Sequence, residues 1–203
     1  MDTLKEPKGA GGSGNERERQ AGTGLAGPNV GSLFRLLVIG YGNPLRGDDG
    51  IGSQIAYGLA KLAGDSTRVL VVHQLTPELA EPISEASLVI FVDACYEGIP
   101  GNWTCETIRP DPNPPQAFTH NFTPAALLSF ASALLGANPK ALLISLAGGS
   151  FDGGEVLSPS VAAVVPEIVA CVCEWWNAGT DNARNDGKSS PFKIEPYAGG
   201  RSN

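Results

Sequence analysis

The fold of this chain is decided by FRLLVIG, residues 34–40, and by the segment that follows it, YGNPLRGDDGIG, residues 41–52. Apart from Arg35, the first run is apolar and ends at a glycine, which is typical of a β-strand covered on both faces. Residues 50–63 then place apolar side chains at helical spacing: Ile51, Ile55, Leu59 and Leu62. A buried strand that leads into an amphipathic helix indicates an α/β protein.

The same alternation continues along the chain. Further strands are predicted at 69–75, 88–94, 103–108 and 141–146, and further helices at 77–83, 124–135 and 159–177. The short strand at 103–108 is expected to be antiparallel and to lie at an edge. Alternating strands and helices predict a three-layer α/β/α domain, with a mostly parallel twisted sheet of about five strands and helices on both faces.

One domain is expected, spanning residues 33–177. The chain has 203 residues, of which 42% are hydrophobic, which suffices for one sizeable core. Residues 1–32 and 178–203 are Gly-rich or polar, carry mixed charge and show no periodicity. Such segments cannot offset the entropy of folding, so both tails are predicted to be disordered.

Charge and hydropathy exclude several classes of partner. The net charge of -7 disfavours nucleic acid and anionic membranes. We find no continuous apolar run of about 18 residues and no apolar core of a signal peptide. The four cysteines form no C-x-x-C pair and are interpreted as reduced, buried thiols. We therefore expect a cytoplasmic monomer without nucleic-acid or membrane partners.

Polar side chains collect where the predicted parallel strands end. Ligands of such sheets bind at the carboxyl edge, where the connecting loops converge. The polar residues that follow strands are Asn43, Arg46, Asp48 and Asp49 after the first, His73 after the second and Asp93 in the third, with His120 in a later loop. Both histidines of the chain therefore fall on the edge where a ligand is expected.

The first loop resembles a dinucleotide fingerprint but departs from it. The pattern G-x-G-x-x-G requires glycine where Leu45 stands, and the carboxylates of Asp48 and Asp49 would repel a phosphate. His73 and Gln74 also occupy the place of the acidic residue that would bind a ribose. A dinucleotide-dependent oxidoreductase is therefore disfavoured. One of the two acids can simply cap the following helix, and this leaves the other unexplained.

A metal site accounts for more of these residues. One carboxylate of the first loop, Asp93 and His120 form a set of two oxygen ligands and one nitrogen ligand. Three protein ligands leave a coordination position for water or substrate, as in a catalytic site. A metal there would activate water and polarise a carbonyl. Taken singly, Asp93 is equally well a hydrogen-bonding residue for the next loop, and His120 a packed or surface histidine.

Other hydrolytic arrangements are weaker. Ser150 lies in GGSFDGG, but G-x-S-x-G fails because Asp152 occupies the last position. Cys95 lies two residues after Asp93 and could pair with His120 as a thiolate nucleophile. A packed thiol at a strand end is equally natural. His73 stays open between a residue that supports the metal site and an ordinary strand-end histidine.

A family resemblance joins these motifs. G-x-G-N-x-L-x-x-D-D-G at 40–50, HQLTPELAEPI at 73–83, FVDA at 91–94 and the later His120 resemble the hydrogenase maturation endopeptidases. The resemblance spans about residues 35–175. It maps the three metal-contacting residues of the family onto Asp49, Asp93 and His120. Some relatives have Glu in place of the first acid. Asn43 and Asp48 flank this site by position and are expected to have supporting roles only.

The resemblance implies a function as well as a site. A metal-dependent endopeptidase of this family would remove a short C-terminal extension from the precursor of a nickel-iron hydrogenase large subunit. The nickel would be presented by that substrate, although zinc or another divalent metal is compatible with the same ligands. The alternative is a non-enzymatic assembly factor or metal carrier that binds the same subunit.

Overall fold

The computed structural model describes residues 34–62, 64, 66–113 and 122–182. The strands are β1 Phe34–Tyr41, β2 Thr67–Val72, β3 Ala86–Cys95, β4 Trp103–Ile108 and β5 Lys140–Ala147. The helices are α1 Ile51–Ala60, α2 Ala80–Ser84, α3 Pro124–Leu135, α4 Pro159–Ala162 and α5 Val165–Asn182, with 3-10 turns at Gly47–Gly50 and Pro77–Leu79. The predicted N-terminal tail, His120 and the chain beyond residue 182 lie outside the described residues.

The sheet has the order β2-β1-β3-β5-β4. All neighbouring strands are parallel except β4, which is antiparallel to β5 at one edge. This confirms the prediction of a mostly parallel five-stranded sheet and of an antiparallel edge strand. β2 ends at Val72, earlier than predicted, because its partner β1 ends at Tyr41, which pairs with Val72.

The side chains of β1 divide between two cores. Leu36 and Val38 pack with buried residues of α1 and α5 on one face, whereas Leu37 and Ile39 pack with residues of α2 and α3 on the other. Alternate residues of a strand point to opposite faces, so a strand in the middle of three layers has to be apolar at every position. The run that identified β1 in the sequence is thus explained, and the α/β/α prediction is confirmed.

The last predicted helix is interrupted in the structure. A turn at 163–164 separates α4 from α5, and α5 continues to Asn182, beyond the boundary expected near Asn177. Pro166 explains the break, because a continuous helix would need its missing N–H to bond to the carbonyl of Ala162. Ser158 does not cap α4 through its side chain, contrary to expectation.

One window in this region, Pro159–Trp176, has the length and composition of a membrane span, with a mean hydropathy of 1.3. In the structure the window is broken by the turn between α4 and α5. Ile168 and Val172 of α5 are buried against the sheet. Its apolar character is therefore that of a helix that packs on a core.

Two glycines allow α1 to lie directly on the sheet. A Cβ atom at Gly52 would meet the backbone oxygen of Tyr41, and would lie 2.7 Å from the backbone oxygen of Val92. A Cβ atom at Gly40 would meet the backbone oxygen of Gly52 and lie 2.8 Å from the Cβ of Ala56. Gly40 and Gly52 therefore serve the close contact between helix and strand.

We predict that Gly52→Ala destabilises the fold. Alanine is favoured over glycine in a helix by about 1 kcal/mol. Here the added methyl group meets backbone atoms that cannot move aside, and the net loss in unfolding free energy should be about 3 kcal/mol. Urea denaturation measures it.

The matched control is Gly64→Ala, because nothing lies within 4 Å of a Cβ atom there. We expect that variant to stay within about 0.5 kcal/mol of wild type. Equal stability of the Gly52 variant and wild type would contradict the close approach of α1 to the sheet.

Candidate active site

The last residue of β1 and a residue near the end of β3 meet at the carboxyl edge of the sheet. Tyr41 and Asp93 lie on these adjacent strands, and the Tyr41 hydroxyl donates a hydrogen bond to the Asp93 carboxylate. The backbone N–H of Ala94 donates to Oδ1 of Asp93 at 2.8 Å. Two donors therefore orient this carboxylate. Tyr41 was not singled out in the sequence, because only the adjacency of β1 and β3 brings it to Asp93.

The environment of Asp93 keeps its pKa unusually high. Burial raises it to about 6 and the negative charge of Asp49 acts in the same direction, against the hydrogen bonds from Tyr41 and Ala94. Burial and the charge of Asp93 also raise the pKa of Tyr41, whose hydroxyl therefore stays protonated. Asp49 and Asp93 are thus close enough to repel one another when both are ionised.

The high pKa of Asp93 costs the folded protein stability. Its folded value lies above the ordinary 3.8, so the folded state holds the proton more tightly than the unfolded chain does. Stability is therefore lost as the pH rises from about 4 through 6, and on the order of 1–3 kcal/mol is missing at neutral pH. A residue kept at such a cost is a candidate for function rather than for structure.

Asp49 is held by the backbone of its own loop. The N–H of Asn43 donates to Oδ2 of Asp49 at 2.9 Å, and the N–H of Leu45 donates to Oδ1 of Asn43 at 3.0 Å. Gly42 has a φ of 128°, and a Cβ atom there would meet the backbone oxygen of Asp49. Glycine at 42 thus permits the loop to place Asp49, and the side chain of Asn43 shapes that loop.

Asp48 has a different role from its neighbour. Its side chain is completely buried, and its Oδ2 accepts hydrogen bonds from Gly149 N at 2.7 Å and Ser150 N at 2.9 Å. Ser158 donates twice, from its N–H to Oδ1 at 2.7 Å and from its hydroxyl to Oδ2 at 2.8 Å. Asp48 therefore joins the first loop to the loop at residues 148–158, and Ser158 serves this contact instead of capping α4.

These donors also fix the ionisation of Asp48. Burial alone would raise the pKa of Asp48, but the hydrogen bonds from Ser158, Gly149 and Ser150 outweigh it and hold the pKa below the ordinary value. The ionised form is thus the one built into the fold. The resulting stability is present at neutral pH and is lost as the pH falls through the folded pKa.

Asp49 and Asp93 offer carboxylate oxygens, which are ligands that a divalent metal accepts. Asp49 accepts one backbone hydrogen bond, on Oδ2, whereas Asp93 accepts a backbone hydrogen bond on Oδ1 and another from the Tyr41 hydroxyl. Their mutual repulsion favours a cation between them. Within the described residues no group of three His, Cys, Asp or Glu side chains is placed to hold a metal ion. The pair fits two of the three predicted ligands, and His120 lies outside the described residues.

Solved structures similar to this chain carry the same fold. Hydrogenase maturating endopeptidase HybD from E. coli is 26% identical over 72% of this chain and 94% of its own, with a TM-score of 0.57. Hydrogenase 2 maturation peptidase from a Thaumarchaeota archaeon is 26% identical over 70% of this chain and 98% of its own, with a TM-score of 0.54. HycI from Thermococcus kodakarensis, at 23% identity and a TM-score of 0.57, shares the fold. No protein-family model and no curated protein sequence matched.

The chain is similar in sequence and fold to the hydrogenase maturation endopeptidases. The resemblance read from the first loop and from FVDA is thereby confirmed, as is the prediction of a processing protease. Asp49 and Asp93 lie at the edge where α/β sheets bind ligands, and the charge of Asp49 influences Asp93 there.

The remaining polar residues that the sequence singles out are placed as follows. His73 is exposed directly after β2, and Arg46 is exposed in the first loop. The Cys95 thiol donates to the backbone oxygen of Glu97 at 3.2 Å. All four cysteines are free, and only Cys105 is fully buried.

We predict that Asp48→Asn destabilises the fold and that Asp49→Asn does not. Asparagine at 48 would present an amide group to the donors of Ser158 and Gly149, so the unfolding free energy should fall by about 2–4 kcal/mol at pH 7. This loss should shrink as the pH falls, because wild type loses the same contribution on protonation.

Asn at 49 is the matched control for stability, since that side chain accepts only one backbone hydrogen bond in the described structure. We expect it to unfold within about 1 kcal/mol of wild type. Denaturation at pH 7 and pH 4 tests both variants, and equal losses at the two positions would contradict the separate roles.

Proposed function

We propose that this endopeptidase removes a short C-terminal extension from the precursor of the large subunit of a nickel-iron hydrogenase. The observation that carries the proposal is that Asp49 and Asp93 both lie at the carboxyl edge of this fold, where the charge of Asp49 helps to raise the pKa of Asp93. Two carboxylates in this position suit a cation better than an uncharged substrate. A precursor already loaded with nickel supplies that cation together with the peptide to be cut.

Three side chains would engage the nickel: Asp49, Asp93 and His120. In this proposal nickel belongs to the substrate. The site would bind productively only to a precursor that already contains nickel. Zinc or another divalent ion is compatible with two oxygen ligands and one imidazole. A divalent metal bound there would polarise a carbonyl oxygen and lower the pKa of a water molecule.

The protein's own groups complete the site. A carboxylate with a pKa of about 6 is ionised at neutral pH yet close enough to that pH to take up a proton readily. The Tyr41 hydroxyl orients Asp93 and stays protonated, so it acts as a hydrogen-bond donor throughout. Asn43 holds Asp49 by its backbone N–H. Hydrogen bonds within the protein would therefore hold the side chains of Asp49 and Asp93 in place before the substrate binds.

The proposed setting follows from the partner. The endopeptidase meets the precursor in the cytoplasm, acts as a monomer, and has no nucleic-acid or membrane partner. The net charge of -7 agrees with the last point. In this proposal the loops at the carboxyl edge of the sheet make the contacts with the precursor.

The experiment incubates nickel-loaded precursor with wild type, Asp49→Ala, Asp93→Ala or His120→Ala. Intact-protein mass spectrometry measures the loss of the C-terminal extension. We expect each variant to lose on the order of a hundredfold or more in kcat/KM, since each removes a group that contacts the nickel-bearing substrate. Circular dichroism checks that each variant is folded.

The control is Glu81→Ala, an exposed acid on α2 that should leave cleavage unchanged. Cleavage that survives all three substitutions would contradict the proposal and favour the thiol of Cys95. Binding of the precursor by wild type without any cleavage would favour the assembly factor instead.

A further inference from the structure

The described part of the chain exposes nine large hydrophobic side chains. Four of them lie on loops at the carboxyl edge, where Asp49 and Asp93 meet: Leu45 at 55%, Tyr96 at 66%, Ile99 at 70% and Val156 at 83% exposed. We call these four residues the apolar rim. Isolated exposed hydrophobic residues are ordinary, but several on adjoining loops beside a candidate active site point to a surface that is covered in use.

The loops of the apolar rim are joined by contacts to the 148–158 loop. Gly154 N donates to the backbone oxygen of Leu45 at 2.9 Å, and the Tyr96 ring stacks on Phe151 with centroids 4.0 Å apart. Pro100, next to Ile99, lies 3.0 Å from where a Cβ atom of Gly149 would be. Val156 belongs to the same loop. The rim is therefore built on one connected set of loops.

The same set of loops is continuous with the candidate active site. Asp48 accepts hydrogen bonds from Gly149, Ser150 and Ser158, and the next residue in the chain is Asp49. A polypeptide lying across the rim would therefore pass beside the carboxylate pair. This continuity distinguishes the rim from the other exposed hydrophobic residues, such as Leu62 after α1 and Leu134 near the end of α3.

Acidic side chains accompany the rim. Glu97, between Tyr96 and Ile99, is exposed, as are Asp152 and Glu155 beside Val156. Arg46, next to Leu45, is the cation that adjoins the rim in sequence. Three acids against one base give this surface a negative potential, which favours a partner segment that carries positive charge.

We propose that the apolar rim binds the precursor next to its cleavage site, and that it selects a segment with both apolar and basic side chains. The proposal rests on the proposed function and adds what that site recognises. Apolar side chains of the segment would cover Leu45, Tyr96, Ile99 and Val156, while its basic side chains would face Glu97, Asp152 and Glu155. Affinity would come from the apolar contacts, and the charges would guide association.

The test uses a rim variant, Leu45→Ser/Ile99→Ser/Val156→Ser, and a control variant, Leu62→Ser/Leu134→Ser. The control positions are 63% and 64% exposed, so both variants remove exposed apolar surface and should fold as wild type. Nickel-loaded precursor is the probe, with KM and kcat for cleavage and, separately, Kd for binding measured by biolayer interferometry.

We expect the rim variant to raise KM and Kd about tenfold or more with kcat little changed, because three apolar contacts are lost. The control variant should match wild type. In a charge variant, Glu97→Gln/Asp152→Asn/Glu155→Gln, the dependence of Kd on salt should weaken, since screened charges no longer contribute.

The outcomes separate this proposal from the proposed function. Cleavage by wild type together with unchanged KM and Kd in the rim variant overturns the rim proposal alone. Precursor binding that needs the rim without any cleavage supports the rim and overturns the endopeptidase role. Neither binding nor cleavage by wild type overturns both. A wild-type dimer in sedimentation that the rim variant abolishes would make the rim a contact between copies, which also overturns the proposal.

Discussion

The buried carboxylate of Asp48 is the constraint on which the carboxyl edge depends. Four hydrogen bonds from the 148–158 loop to one ionised side chain join segments about a hundred residues apart in sequence. Buried charge is tolerated only when it is fully hydrogen-bonded, so this arrangement specifies the position of both loops closely. It also places Asp49, which is the next residue. One of two adjacent acids therefore builds the edge, and the other remains available for a ligand.

Asp93 shows the opposite use of a carboxylate. Its burial and the neighbouring charge raise its pKa to about 6, so the fold is less stable at neutral pH than it would be with a neutral side chain there. The hydrogen bond from Tyr41 limits the shift without abolishing it. The paired, repelling acids form a site that a cation would relieve. The raised pKa of Asp93 thus lowers the stability of the fold at the edge of the sheet where a ligand is expected.

The sheet and its layers were predictable because their signals are local. β1 is apolar without interruption from Leu36 to Ile39, and Pro77, Pro124 and Pro159 mark helix starts. Pro166 is also a local signal, and it explains why the helix expected at 159–177 is divided into α4 and α5. Contacts between residues far apart in the sequence could not be predicted from local signals. Nothing local distinguishes Asp48 from Asp49, because their roles depend on the 148–158 loop, and Tyr41 reaches Asp93 only through the strand order. The placement of His120 stays a prediction.

The central claim is that Asp49 and Asp93 bind the nickel carried by the substrate, so that only nickel-loaded precursor is cleaved. Its most direct test compares a nickel-loaded precursor with the same precursor lacking nickel, each incubated with wild-type protein that has been freed of metal. Intact mass reports loss of the C-terminal segment. The account predicts cleavage of the nickel-loaded form alone. Cleavage of both forms at the same rate would contradict it, because the peptide would then be recognised without the cation that Asp49 and Asp93 are proposed to bind.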